Sequence, residues 1–263
     1  MVGFLFLVLG FAVGSFLNVV ILRMGSEETI GGRSHCRNCD TQIRWYDNIP
    51  ILSFFWLRGR CRMCHQAISW QYPAVEVFTG IFFWLIGSSF FDPADRTSWL
   101  ESLWLLGVVS LFVIIAVYDI LKMEILVALL WTALLWTLLY YGLSFEWSES
   151  LWWGREVQAL VGALVVGGFF LTLVLVSDET WMGWGDVWLG AIAGLMVGLP
   201  AVLFMVTLSF GIGAVVGVTA LLLGNKTMKS QLPFAPFLAL GTLLTLLLPH
   251  IIPQYTWAFL LSV

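Results

Sequence analysis

Two pairs of cysteines and a few carboxylates stand out in a chain with little other polar chemistry. Cys36 and Cys39 are two residues apart, as are Cys61 and Cys64, and 21 residues separate the pairs. Each C-x-x-C pair turns tightly enough to offer two thiolates to one tetrahedral ion. Four thiolates close the coordination shell and leave no place for substrate, so the spacing points to one structural Zn2+. A pair of disulfides is the competing arrangement. The bias of basic residues to this segment puts it in a reducing compartment, where disulfides seldom persist. His35 and His65 each sit beside a cysteine and are alternative ligands; as solvated neighbours they leave the four thiolates as the expected set.

Charged side chains within or at the end of apolar runs are costly, so each is a functional candidate. Four qualify: Glu76, Asp119, Glu124 and Asp186. Asp119 follows Tyr118 at the end of one run, and Asp186 opens a later run after Gly183-Trp184-Gly185. Two carboxylates brought to a shared water cannot comfortably both ionise, so one acts as base while its partner holds the proton. That is the chemistry of an aspartic peptidase, and it needs no metal. The plainer alternatives are that Asp186 caps its own helix and that Asp119 is an interfacial loop residue. A proton relay in an ion-coupled transporter is another use for two such aspartates.

The elements that must position these groups are membrane helices. Of 263 residues, 60% are apolar and only 11% charged, with a mean hydropathy of +0.94, far from the composition of a soluble domain. Runs able to cross about 30 Å of hydrocarbon recur along most of the chain. The first, Val2 to Leu22, lacks a basic n-region and a small-residue cleavage signal, and reads as a retained helix. A polar segment from Met24 to Tyr72 follows, carrying all four cysteines and six arginines. Further spans are expected near 73–91, 99–118, 124–142, 156–177, 186–199, 201–223 and 233–249, giving about eight transmembrane helices in an all-α polytopic membrane protein. The stretch from His250, with Pro253, Tyr255 and Trp257, fits either an extended last helix or an interfacial segment. The expected units are therefore a first helix over 1–23, a zinc-binding domain over 24–72 and a membrane-embedded peptidase domain over 73–263.

Basic residues in short loops favour the cytoplasmic side. With the cysteine segment inside, ten of the 12 basic residues fall inside: Arg23, Arg33, Arg37, Arg44, Arg58, Arg60, Arg62, Lys122, Lys226 and Lys229. Only Arg96 and Arg155 fall outside, together with Trp99, Tyr140, Tyr141, Trp147, Trp152 and Trp153, an aromatic belt. The same choice puts Asp119, Glu124, Asp178, Glu179 and Asp186 at the cytoplasmic face as an acidic patch suited to a basic substrate segment. The net charge of −4 gives no global basic field for nucleic acid. Gly190, Gly194 and Gly198 in one span, and Gly213 and Gly217 in the next, imply close helix packing.

In order along the chain, the residues resemble the type IV prepilin peptidases, which also process type II secretion pseudopilins. Gly14-Ser15-Phe16-Leu17-Asn18-Val19-Val20-Ile21 is similar to the family's first-helix signature. The two knuckles, Asp47-Asn48-Ile49-Pro50-Ile51-Leu52-Ser53, Ile68-Ser69 and Tyr72-Pro73-Ala74-Val75-Glu76 resemble its cytoplasmic domain. Gly183-Trp184-Gly185-Asp186 resembles the Gly-x-Gly-Asp motif that carries one catalytic aspartate, Tyr118-Asp119 stands where the other is expected, and Pro233-Phe234-Ala235-Pro236-Phe237 resembles a last-helix motif.

The resemblance implies a multi-pass protein of the bacterial inner membrane, with zinc domain and active site facing the cytoplasm. It implies cleavage of prepilins or pseudopilins after the glycine that ends a short basic leader, with Asp119 and Asp186 as the catalytic pair. It further implies N-methylation of the new amino terminus with S-adenosylmethionine. No glycine-rich loop on a strand-helix unit is available to hold that cofactor; Glu76 matches a position associated with the cysteine domain and is the one candidate for its site. Departures from the family pattern are Trp188 for a lysine, Leu126 for a proline, Gln71 for an arginine, Arg37 for a proline and Ala235 for a glycine. None removes a carboxylate or thiolate. Rival readings are a peptidase without the methyltransferase, and a non-enzymatic zinc-ribbon scaffold for pilus or secretion assembly, which would need neither aspartate.

Overall fold

In the computed structural model, residues 1–25, 31–145, 154–199, 201–223 and 232–251 are described. Eight long helices occupy the eight expected runs: α1 (Val2–Met24), α3 (Gln71–Ser89), α4 (Arg96–Lys122), α5 (Val127–Leu143), α6 (Arg155–Ser177), α7 (Trp184–Val197), α8 (Val202–Leu222) and α9 (Ala235–Ile251), with a short α2 (Leu52–Trp56) in the cysteine segment. Four of them, α1, α4, α6 and α8, are long and apolar enough to cross a membrane; α5, α7 and α9 are apolar but shorter. No membrane-length β-strand forms among the described residues, and the chain is all-helical apart from two isolated bridges.

The helix ends follow local chemistry. At the start of α4 the Asp95 carboxylate accepts the Thr97 N–H at 2.9 Å, a standard N-cap. α4 stops at Met123, whose left-handed backbone (φ 56) returns its N–H to the Asp119 carbonyl. Asp119 therefore lies one turn inside the end of α4, at the end of its apolar run and not in an interfacial loop. α6 ends the same way at Asp178.

α4 is the central helix, packed on α1, α3, α5 and α9, with Val108, Val109, Phe112 and Ile115 fully buried. The tightest helix pairs are set by small residues. A Cβ on Gly14 would come within 2.8 Å of the Glu76 Cα, and one on Gly10 within 2.7 Å of the Gly80 Cα, so α1 and α3 touch backbone to backbone. Gly162 and Gly194 do the same for α6 and α7. Of the expected glycine stripes, Gly190 makes room for the Phe170 ring and Gly194 meets backbone, but Gly213 and Gly217 meet only the Phe237 and Leu232 side chains. In the second stripe Gly213 therefore admits the α9 ring of Phe237, while the closest approach of α8 to α9 is Ser209 against Gly241.

The two ends of the bundle differ chemically. At one, Trp99 packs on Phe91 at 4.6 Å, and Arg155 lies over the Tyr140 and Tyr141 rings at 5.4 and 5.3 Å. Trp147, Trp152, Trp153, Lys226, Lys229 and the tail beyond Ile251 lie outside the described residues. At the other end, Gly25 after α1 sits against Lys122 at the end of α4, and Gly185 in α7 sits against Ile125. That end collects the cysteine segment and both candidate aspartates.

Candidate active site and metal centre

The cysteine segment is a duplicated knuckle. In the first copy the Cys36 N–H donates to the Thr41 carbonyl, the Asp40 N–H to Cys36 and the Ile43 N–H to Ser34. In the second, 25 residues on, the Cys61 N–H donates to Gln66, the His65 N–H to Cys61 and the Ile68 N–H to Gly59. The isolated bridges His35 to Gln42 and Arg60 to Ala67 repeat the offset, as do the left-handed residues Asp40 and His65. The sequence signal for this repeat was present in the pairing of each C-x-x-C with an isoleucine seven residues after its first cysteine. His65 serves the turn itself, in the left-handed conformation that closes the knuckle.

Face to face, the copies bring all four thiols within 4.8 Å of one another, with 3.8 Å between the Cys36 and Cys64 sulfurs. Zn–S bonds of about 2.3 Å in a tetrahedron give edges of roughly 3.8 Å, so the donor set fits a four-thiolate ion. No disulfide joins them.

Polar ties dock this module on the bundle. The Arg37 guanidinium donates to the Leu22 carbonyl at 2.9 Å, capping the C-terminus of α1; this is what the arginine does where a proline is usual. Buried Arg23 donates to the carbonyls of Gly31 and Arg33. The fully buried Asn18 donates to the Tyr72 carbonyl at 3.1 Å and accepts from the Gln71 side chain at 3.4 Å, joining α1 to the start of α3. Within the module, Arg62 grips Asp47 through two nitrogens, and its guanidinium holds the Asp47 carboxyl below the usual carboxylate range.

Glu76, only 6% exposed, accepts the Ile51 N–H at 2.7 Å. Ile51 sits at φ 63, a region costing a β-branched residue about 1–3 kcal/mol. Glu76 thus pins the module's strained turn to α3, and it also faces a cavity of ≈ 470 Å³ between the knuckles and the ends of α1 and α3.

The aspartates lie at the same end of the bundle. Asp119 is 6% exposed, and its Oδ2 accepts the Ala235 N–H at 3.2 Å, the first residue of α9. A helix N-terminus is a natural seat for a carboxylate. Asp186 occupies the third position of α7, and its Oδ2 accepts the N–H of the N-cap residue Gly183 at 3.2 Å, so it does cap its own helix from that position, as the return half of a capping box. Each carboxylate therefore has one oxygen fixed by a backbone N–H and an Oδ1 that no described protein group engages. Asp119 is close enough for its charge to act on Asp186. Neither backbone donor was foreseen from the sequence, because an N–H has no residue-type signature.

The neighbouring acidic groups are exposed: Glu124 follows α4, and Asp178 and Glu179 follow α6, with the Trp184 indole donating to Glu179 at 2.7 Å. Trp188 is 60% exposed on α7, and no described cation acts on Asp186 in the place a lysine would take. Leu126, at φ −71 with its N–H outside the helix ladder, holds a backbone that proline would also adopt.

Residues 8–90 match the family model of the bacterial peptidase A24 N-terminal domain, and residues 105–218 match that of the type IV leader peptidase family. The chain is similar to the prepilin leader peptidase/N-methyltransferases of Pseudomonas putida (30% identity over 89% of this chain and 86% of that one) and Stutzerimonas stutzeri (31%, 92% and 89%). It is likewise similar to that of Dickeya chrysanthemi (33%, 92% and 91%). No solved structure matches significantly. With the thiol knuckles inside the first matched region, both candidate aspartates inside the second, and relatives at 30% identity or more over most of the chain, the chain belongs to the type IV prepilin leader peptidase family.

Proposed function

We propose that the chain is an aspartic peptidase that removes the short basic leader of type IV prepilins or type II secretion pseudopilins at the cytoplasmic face of a bacterial inner membrane. It then N-methylates the new amino terminus with S-adenosylmethionine, the activity named for its relatives. One feature supports the peptidase assignment: Asp119 in α4 and Asp186 in α7 lie at the same end of the bundle, each with one oxygen held by a backbone N–H and the other not engaged by a described group.

The geometry suits a shared-proton mechanism. The ionised aspartate takes a proton from water as the water attacks the scissile carbonyl. The protonated partner hydrogen-bonds the carbonyl oxygen, and a proton then passes to the leaving nitrogen. The Ala235 and Gly183 N–H groups hold the carboxylates in place without consuming the open oxygens. Glu124, Asp178 and Glu179, exposed after the ends of α4 and α6, would attract a basic leader, while the substrate's own apolar helix stays in lipid.

Cys36, Cys39, Cys61 and Cys64 would hold Zn2+, which supplies folding free energy to a segment too small for a core of its own. We assign residues 1–23 to the first of eight spans, 24–72 to the cytoplasmic zinc domain and 73–263 to the embedded peptidase, oriented by the bias of basic residues to the zinc-domain side.

The test is coexpression with a prepilin bearing a basic leader, comparing the parent chain with Asp119→Asn and Asp186→Asn at equal protein level and reading product mass. Cleavage by the parent, reduced at least about 100-fold in either variant, is expected, with a further methyl mass on the parent's product. Cleavage surviving either substitution overturns the dyad. A cleaved but unmethylated product removes the second activity.

A further inference from the structure

The cavity beneath the zinc knuckles has no part in the peptidase chemistry, and its chemistry is unbalanced. It is walled by both knuckles, by Ser15, Val19 and Leu22 of α1, and by Tyr72 and Glu76 of α3. Its ≈ 470 Å³ falls within the range of small-molecule and cofactor sites. The acidic groups on its wall differ in one respect. Asp47 is neutralised by Arg62, whereas Glu76, more than nine-tenths buried, has no cation within ion-pair distance among the described residues. One Glu76 oxygen is used by the Ile51 N–H, with the Ser15 hydroxyl beside the carboxyl. The other arginines on the wall donate elsewhere: Arg23 to the carbonyls of Gly31 and Arg33, Arg37 to the Leu22 carbonyl and Arg44 to the Tyr46 hydroxyl. A buried carboxylate without a counter-ion is costly, and a cationic ligand would relieve that cost. Phe54 and Tyr72 add aromatic surface for a flat heterocycle.

We propose that this cavity is the methyl-donor site and that Glu76 is the counter-ion of the donor's sulfonium; the assignment rests on the methyltransferase reading above. The cavity needs no glycine-rich loop, since a carboxylate and aromatic walls replace the phosphate-type cradle. It lies at the bundle end that holds the aspartates: Gly25, three residues after its wall residue Leu22, packs on Lys122, one turn after Asp119. The cleaved substrate's neutral α-amine attacks the methyl carbon, and the carbon–sulfur electron pair stays on sulfur. The positive charge passes to the methylated nitrogen, leaving a neutral thioether. A carboxylate that reads the sulfonium therefore favours donor over spent product, which empties the site after each turnover.

Binding to the full zinc-loaded chain in nanodiscs tests this with S-adenosylmethionine and S-adenosylhomocysteine, which differ by the methyl group and the charge on sulfur. The parent is expected to prefer the sulfonium compound by at least about 10-fold. Glu76→Gln, which keeps an acceptor for Ile51, should bring the two affinities to parity while zinc content stays at one per chain. Val19→Trp, which fills the cavity, should weaken both. If the parent methylates substrate yet both variants bind like the parent, the site lies elsewhere and this inference fails while the methyltransferase reading stands. If the parent neither binds the donor nor methylates, that reading fails and takes the inference with it.

Discussion

The Ala235 N–H donates to Oδ2 of Asp119 at 3.2 Å, across 116 positions of sequence. The bond makes the first turn of α9 part of the aspartate's setting, and it explains why an alanine serves in place of the family's glycine: the fully buried methyl points into the core while the N–H does the binding. Ala235→Pro deletes that donor at a helix position where proline is otherwise tolerated. A hydrogen bond to a charged group contributes about 1.5–3 kcal/mol, so cleavage should fall roughly 10-fold or more. Ala235→Gly, which keeps the N–H, should stay within a few-fold of the parent. Equal rates for the two variants in a cleavage assay would separate the bond from catalysis.

Two carboxylates that share a proton titrate as a pair, so cleavage should follow a bell in pH whose limbs belong to Asp119 and Asp186 together. The ion pair within the module, Asp47 with Arg62, does not supply the acid limb. Arg62 depresses the Asp47 carboxyl, so that pair's stabilisation is complete above the ordinary carboxylate range and is lost only as pH falls through the depressed value. Asp47→Asn should leave both limbs unchanged in a pH–rate profile. A flat parent profile would contradict the shared proton.

Metal analysis should find one zinc per chain, falling when any one of Cys36, Cys39, Cys61 or Cys64 is changed to serine. Chelation should open both knuckles, as loss of protection of the Cys36 and Cys61 amides in hydrogen exchange would report. Methylation should be lost while cleavage persists, because neither Asp119 nor Asp186 takes its anchoring N–H from the cysteine segment. Parallel loss of both activities would mean that the module also supports the aspartates.

Leu126→Pro should be tolerated. Leu126 already has φ −71, its N–H makes no ladder bond, and Ile125 before it is non-helical. Thermal unfolding in detergent should show a change within about 1 kcal/mol of the parent. A larger loss would mean that the leucine side chain itself is needed.

Glycines in this bundle should separate by what faces them. A Cβ on Gly194 would stand 2.4 Å from the Gly162 carbonyl oxygen, which is backbone and cannot swing aside, whereas Gly168 faces open space. Gly194→Ala should cost about 1–3 kcal/mol, and Gly168→Ala should be neutral or slightly stabilising. Unfolding midpoints of the two variants measured side by side decide the matter.

What the sequence determined by itself was local and periodic. Apolar runs placed all eight long helices within a few residues of their observed bounds, because burial of backbone hydrogen bonds in lipid leaves helix as the solution for such runs. The C-x-x-C spacing marked the thiol cluster because each knuckle closes within ten residues. The tertiary structure alone decided the contacts between distant segments. It made Asp186 cap α7 from the third position, placed Asp119 a turn inside α4, and supplied both with backbone donors from Gly183 and Ala235. It also gave Glu76 a structural partner in Ile51 and a cavity to face, and it assigned backbone-to-backbone contact to Gly10, Gly14 and Gly80. The reason is common to all of these: a backbone N–H, a missing Cβ or an unpaired charge acquires its meaning from what packs against it, and that partner lies tens to a hundred residues away in the chain.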